Sequence, residues 1–507
     1  MKAEKTPEEA ARSKRAHADS MIVMGAVTTV AALAAAWIAM SGRGDVPDWM
    51  FGGRRALRAE AADWPRRPSA VHFYIWSAEP FARAKKEGKL VLLFLGPTYN
   101  AATARMEAET FGDPRAAALA NARFVPVRVR SEDYPDLDRR YRSTGWPTTA
   151  ALLPDGVPLA AGTAMTPEAF VRWAAAIADK AAAHPEILER VDGAAAETRR
   201  AGDAGSATAS APMDAAAAEL RARTALESSW DASRRTFDRV GPRFPRFERI
   251  AALRALKAPW AQELALGAAK GSLLFQDPQE GGFRRAANPD GSPAALETVA
   301  SDQSAALDAL CGVMPDSARK ELAFLDKTSW GWRSGFSTEG KRGEGKARLG
   351  EDAELARAVL VCSESSPAQK ALARRALDRD WAEFGRRAIA RDPRLLLDDA
   401  VGLGHALLAA GRPEDALSVW RWMDVNLAAG PAFLDRIATG VLTPDMDRIA
   451  DPALNARTLA FVRGLLRDQP GQSRRMGLIQ RENELYSWLS ARCDSLDPAV
   501  WAVLAAR

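Results

Sequence analysis

The stretch KLVLLFLGPTYNAATARME, residues 89–107, decides how the first half of the chain folds. Leu90–Leu95 is an unbroken apolar run of buried-strand length, ended by Gly96-Pro97. Before it, Ala78–Gly88 (AEPFARAKKEG) reads as an amphipathic helix, and after it Asp113–Ala122 reads as a second. Phe124–Val129 (FVPVRV) alternates as a strand. Thr148–Leu153 is a further apolar strand, closed by the turn Pro154-Asp155-Gly156. Thr166–His184 carries a Thr-Pro-Glu helix start. Strands alternating with helices predict an α/β layered domain over residues 69–186.

Working outward, residues 1–20 form a polar tail, and Met21–Met40 is a run of 20 residues whose polar members are Thr28 and Thr29. At about 1.5 Å per residue such a helix spans the roughly 30 Å hydrocarbon core of a bilayer, so it reads as an uncleaved transmembrane anchor. Lys2, Lys5, Arg12, Lys14 and Arg15 precede it, against Arg43, Arg54, Arg55 and Arg58 beyond it. That bias points to a cytoplasmic N-terminus and a periplasmic body, with a cytoplasmic body as the alternative. Residues 41–68 read as a Gly/Pro/Arg-rich linker, and residues 187–212 as the end of a helix and a flexible small-residue linker. Over residues 213–507 no strand is expected. Ala215–Ser228, Phe247–Leu256, Leu296–Leu310, Asp352–Val361, Ala368–Ala388, Leu396–Ala410, Pro413–Leu427, Pro452–Leu466 and Ser473–Cys493 read as helices joined into antiparallel pairs.

The chain has 507 residues, 47% of them hydrophobic and 27% charged, which describes a folded protein of more than one domain. A net charge of +5 over that length is too dilute for a nucleic-acid binder. Four histidines (His17, His72, His184, His405) and three scattered cysteines (Cys311, Cys362, Cys493) leave no CxxC pair. A disulfide framework, a zinc site and a dithiol centre are therefore not expected, and neither is a cofactor.

From Trp76 to Gly162 the chain resembles the thioredoxin-like domain of the family related to spermatogenesis-associated protein 20. Ala78–Lys89 matches that family's helix ending, and Glu109-Thr110-Phe111-Gly112-Asp113-Pro114, Phe124-Val125-Pro126-Val127 and Asp133–Asp138 match later motifs. So do Gly145-Trp146-Pro147 and Pro154-Asp155-Gly156. The departures carry the functional reading. Asn100 and Thr103 stand where the family has two cysteines, and Ala101 and Ala104 where it has histidines. A thiolate is the nucleophile of disulfide exchange, so the resemblance implies a domain that has lost redox chemistry and metal binding. It also implies a cis-proline at Pro147 beside the old active site, with Trp146-Pro147 as a possible peptide-binding groove.

The helical half resembles the family's (α/α) toroid of the glycosidase or sugar-epimerase type more loosely. Phe237-Asp238 with Pro242–Pro245, Gly281–Arg285, Leu296-Glu297 with Asp302, and Leu397-Asp398-Asp399 carry that likeness. Arg284 and Ala295 replace its histidines, and the half is short for a closed ring. Glu297, Asp302 and Asp399 are the candidate carboxylates if it acts on carbohydrate. His405 reads as a structural histidine. Gly340–Lys346 has phosphate-loop spacing without the following hydroxyl, and reads as a surface loop.

These readings converge on a membrane-anchored bacterial pseudoenzyme. Its redox-inactive thioredoxin-like domain and its helical domain would serve as protein-binding surfaces for other subunits of a membrane complex, with no catalytic residue and no small-molecule ligand. A carbohydrate-active enzyme and a non-redox peptide-binding chaperone are the two alternatives.

Overall fold

The computed structural model describes residues 69–98, 100–184, 186, 214–238, 243–288, 290–293, 297–327, 336–338, 341–342, 348–442, 447–468, 472–491 and 498–505. The tail, the apolar run 21–40 and the linkers 41–68 and 187–212 lie outside these residues. Among the described residues no helix is long and apolar enough to cross a membrane. The chain divides after Pro68, and the unit Ser69–Arg507 contains both domains discussed below.

The first domain is a mixed four-stranded sheet in the order β2-β1-β3-β4. Its elements are α1 (Ala78–Glu87), β1 (Leu90–Gly96), α2 (Ala101–Arg105, continuing as a π turn Met106–Thr110) and α3 (Pro114–Arg123). They continue with β2 (Phe124–Arg130), α4 (Pro135–Tyr141), β3 (Thr148–Leu152), β4 (Pro158–Thr163) and α5 (Pro167–Ala183). β1 pairs with β2 in parallel and with β3 antiparallel. Every residue of β1 is buried, as a central strand covered on both faces requires. One face packs Trp76, Phe81, Leu93 and Val127, and the other stacks Phe73, Phe94, Phe111 and Phe170 edge to face. Three elements were not foreseen, the first being the short helix α2. β4 is an exposed edge strand with no apolar alternation, and α4 starts on Pro135 with acidic residues in its first turn.

The second half holds α6 (Ala215–Ser229), α7 (Phe247–Ala255), α8 (Pro259–Ser272), α9 (Ala300–Leu310) and α10 (Pro315–Lys327). Then come α11 (Leu349–Val361), α12 (Pro367–Ile389), α13 (Leu397–Ala409), α14 (Pro413–Asn426), α15 (Pro452–Asp468), α16 (Gln472–Ser490) and α17 (Pro498–Ala505). Among the described residues, α7, α9, α11, α13, α15 and α17 pack in that order, and α17 returns to α7. They form a closed inner ring. Each has an outer partner: α8, α10, α12, α14, α16 and, for α17, the first helix α6.

The half expected to be too short for a toroid therefore closes, because its first and last helices make the sixth pair. α11 and α13 approach closely, and a Cβ on Gly402 would lie 2.9 Å from the Gly350 carbonyl oxygen. The expectation of no strands also fails. Glu297–Val299, Phe336–Thr338 and Lys341–Arg342 form a small sheet, and Ala428–Ala429 pairs with Ala432–Phe433. Helices α8, α10 and α17 went unread: α8 is Ala/Gly-rich and α17 is a single short apolar segment, which give weak periodicity, whereas α10 carries a clear buried stripe of Ala318, Leu322 and Leu325.

The cysteine reading is corrected as well. Cys311 and Cys362, 51 residues apart in sequence, form a disulfide. Helix packing brings together two residues whose spacing gave no hint of pairing.

Candidate functional site

Asn100 and Thr103 are occupied with each other. Asn100 caps α2, its Oδ1 accepting from the Thr103 backbone N–H at 3.0 Å and from Thr103 Oγ1 at 3.3 Å. Thr103 is 1% exposed, and Gly96 and Pro147 crowd it: a Cβ on Gly96 would sit 2.6 Å from Thr103 Oγ1 and 3.3 Å from Pro147 Cβ. Only a residue without a side chain fits between that hydroxyl and the proline. The Trp146–Pro147 bond is cis.

Trp146 does not line an open groove. Its Nε1 donates to Asp138 Oδ1 at 2.7 Å. Its ring has the guanidinium of Arg142 at 5.0 Å and that of Arg285, from the helical domain, at 4.5 Å. Arg285 in turn pairs with Asp302 at 3.3 Å. One of the candidate carboxylates thus supports the domain junction. Burial raises the Asp302 carboxyl above the usual aspartate range, and Arg285 offsets that only in part.

The other two candidates lie on separate elements. Asp399 is 3% exposed and accepts from the backbone N–H of Gly350 at 2.9 Å and of Leu396 at 3.1 Å, pinning the start of α13 to α11. Glu297 opens the first strand of the small sheet, in register with Thr338.

The bore of the toroid is where charge collects. A cavity of about 550 Å³ is lined by residues from the inner helices, among them Asp308, Glu351, Glu354, Arg357, Asp398 and His405. Arg357 bridges Asp308 and Glu354, and Arg457 bridges Glu354 and Asp398. Arg348 holds Glu351 at 2.8 Å and approaches Asp398 to 3.5 Å. Burial alone would raise the Glu354 carboxyl, but Arg357 and Arg457 outweigh it and hold it at about 2. In Asp398 burial is likewise outweighed, by Arg457, Arg139 and Arg348, and the carboxyl lies well below the usual range. Asp308 and Glu351 go the other way, raised by burial against their arginines.

His405 Nε2 donates to the Arg457 carbonyl at 3.2 Å. Burial lowers the imidazole to about 4 despite the nearby Glu354, so it is neutral at pH 7. A second cavity of about 480 Å³ shares Arg357, His405 and Ala460 with the first, so these residues form a floor across the bore.

The thioredoxin-like domain reaches into this lattice. Arg139 of α4 lies 3.5 Å from Asp398. One turn around, the buried pairs Arg436–Asp136, at 2.5 Å, and Arg140–Asp435, at 3.3 Å, cross the junction in opposite senses. Leu442 packs into the core of the thioredoxin-like domain.

Sequence reasoning chose Asp399 where its neighbour Asp398 faces the bore, and it missed Asp308, Glu351, Glu354, Arg357 and Arg457. The available signal was charge on the apolar helices α9, α11 and α15. As to metals, the donor group with ligand spacing found among the described residues is Cys311, Cys362 and Glu364, and its two sulfurs are bonded to each other. The phosphate-loop spacing at 340–346 lies mostly outside the described residues.

Comparison with known proteins agrees with the first domain. Residues 64–199 match the thioredoxin-like DsbH family model, described as a protein of unknown function, DUF255. Spermatogenesis-associated protein 20 of Rattus norvegicus is 35% identical over 106 residues, 19% of this chain and 13% of that protein. The match therefore spans about an eighth of the relative's length. Among solved structures, a DsbH oxidoreductase is 17% identical, covers 24% of this chain and 98% of its own, and gives a TM-score of 0.20. Cellobiose 2-epimerase from Bacillus thermoamylovorans B4167 is 9% identical, covers 56% of this chain and 89% of its own, and gives a TM-score of 0.44. The chain thus carries a thioredoxin-like DUF255 domain homologous to spermatogenesis-associated protein 20, set against a helical toroid.

Proposed function

We propose that this protein is a non-catalytic, membrane-anchored accessory or assembly subunit. Its two domains would form one rigid binding body for other subunits of a membrane complex. The observation that carries this reading is the state of both former reaction centres. Asn100 and Thr103 hydrogen-bond to each other where a dithiol would stand. In the bore, Asp308, Glu351, Glu354 and Asp398 are each paired with an arginine. Carboxylates neutralised in this way brace helices and are not poised for proton transfer.

The test is purification of the full chain from native membranes in mild detergent, with mass spectrometry of what co-elutes, beside an insulin-reduction assay. A stoichiometric membrane-protein partner and no reduction of insulin are expected. Elution of the chain alone would sink the reading.

A carbohydrate-active enzyme is the second reading, favoured by the bore cavity of about 550 Å³ with the neutral imidazole of His405 on its floor. It would use His405 with Glu354, and not Glu297, Asp302 or Asp399. Turnover of a reducing sugar, abolished by His405→Ala, would establish it. A peptide-binding chaperone is disfavoured, because Arg285 covers the Trp146 ring.

A further inference from the structure

The one covalent cross-link among the described residues joins two neighbouring inner helices at corresponding ends. Cys311 directly follows α9 and Cys362 directly follows α11, with Cα atoms 5.4 Å apart. The surroundings are built to hold that arrangement. Gly312, in a left-handed conformation (φ 75°), turns its N–H to Glu364, at 3.2 Å from Oε2 and 3.3 Å from Oε1. Arg254 donates to the carbonyls of Asp308, at 2.6 Å, and Cys311, at 2.9 Å, so a third inner helix, α7, is tied to the same corner.

Exchange at this disulfide is hindered. Cys362 is 1% exposed, which blocks in-line attack on its sulfur. Glu364 Oε2 lies 3.4 Å from Cys362 Sγ, and its negative charge opposes release of a thiolate there.

A half-buried, charge-protected disulfide between residues 51 apart in sequence belongs to proteins matured in an oxidising compartment, because cytosolic thiol pools keep such pairs reduced. We infer that the toroid folds and works in an oxidising compartment, across the membrane from the N-terminal tail. Cys311 and Cys362 are oxidised there by exchange with a protein disulfide carrier. One thiolate attacks the carrier's disulfide and forms a mixed disulfide. The second thiolate displaces the carrier's sulfur, so the pair loses two electrons and two protons and the carrier leaves as a dithiol. The placement across the membrane rests on reading residues 21–40 as an anchor; the oxidised pair does not.

The experiment counts thiols on the full chain in native membranes. Samples are quenched in acid, denatured and labelled with a maleimide-polyethylene glycol, with and without prior reduction. One conjugate, at Cys493, is expected before reduction and three after it. Three conjugates without reduction would overturn the inference, and one zinc ion per chain released by a chelator in that sample would reassign Cys311, Cys362 and Glu364 to a metal.

In parallel, sealed vesicles of known sidedness are treated with protease. Peptides from the toroid are expected to be released when the oxidising face is outward. Release from the reducing face instead would overturn the compartment. Cys311→Ser separates folding from topology: it should lower the thermal midpoint without changing the protease sidedness. A missing partner in the co-purification would defeat the proposed accessory role and leave the thiol count unchanged.

Discussion

Glu354 and His405 show how the charge lattice of the bore sets protonation. Both sit beside Arg357 and Arg457, and both are held in the form that suits the lattice: Glu354 ionised and His405 neutral. Their folded pKa values of about 2 and about 4 lie below the ordinary 4.5 and 6.5. For each, the folded state binds its proton less readily than the unfolded chain does. His405 therefore contributes stability that is full above about pH 6.5 and is lost as the pH falls toward 4. Glu354 contributes stability that is full above about pH 4.5 and is lost as the pH falls toward 2. At the domain junction Asp435, raised by burial to about 6, works in the opposite sense, its contribution present below about pH 4 and lost as the pH rises through 6. Between pH 6.5 and pH 4 His405 should thus lower stability by about 3 kcal/mol, while Asp435 and the raised carboxyls of Asp302, Asp308 and Glu351 push it the other way. Urea unfolding of the full chain beside His405→Gln isolates the histidine: the difference between the two should shrink as the pH falls across that stretch, and a constant difference would remove His405 from the account.

Helix pairing explains how a short helical half closes a ring. α6 and α17 are the two ends of that half, and each lacks a partner next to it in sequence. Packed together they supply the sixth pair. Leu504 of α17 is fully buried in the main cluster of the toroid. Leu504→Ala should destabilise the toroid by about 2–5 kcal/mol, the range for truncating a buried leucine. Thermal unfolding followed by circular dichroism will read this. A loss under 1 kcal/mol would mean that α17 does not close the ring. The strand Leu90–Leu95 and the longer helices were legible in the chain, because an unbroken apolar run or a long stripe has one packing solution. β4, α8 and α17 were not: an exposed edge strand, an alanine-rich outer helix and a short apolar helix carry little periodic contrast.

At the scale of the whole molecule the two domains are joined by reciprocal arginine–aspartate pairs, and the thioredoxin-like domain sends Arg139 to the bore carboxylate Asp398. Arg285 on the Trp146 ring makes the surface beside cis-Pro147 part of that junction. Restoring the cysteines by Asn100→Cys with Thr103→Cys should therefore give a chain that does not reduce insulin. Adding Arg285→Ala should open the groove and produce measurable reduction. Activity in the double variant alone would show that the groove is accessible after all. The sequence by itself determined the α/β domain, the helical half and the absence of a CxxC pair, because strand length, helix periodicity and residue identity are local properties. Only the tertiary structure decided that the toroid closes, that Cys311 meets Cys362, and that Asp398 faces the bore while Asp399 caps a helix. Each of these depends on which faces of distant helices come together, and one residue's step around a helix turns a side chain by about 100°.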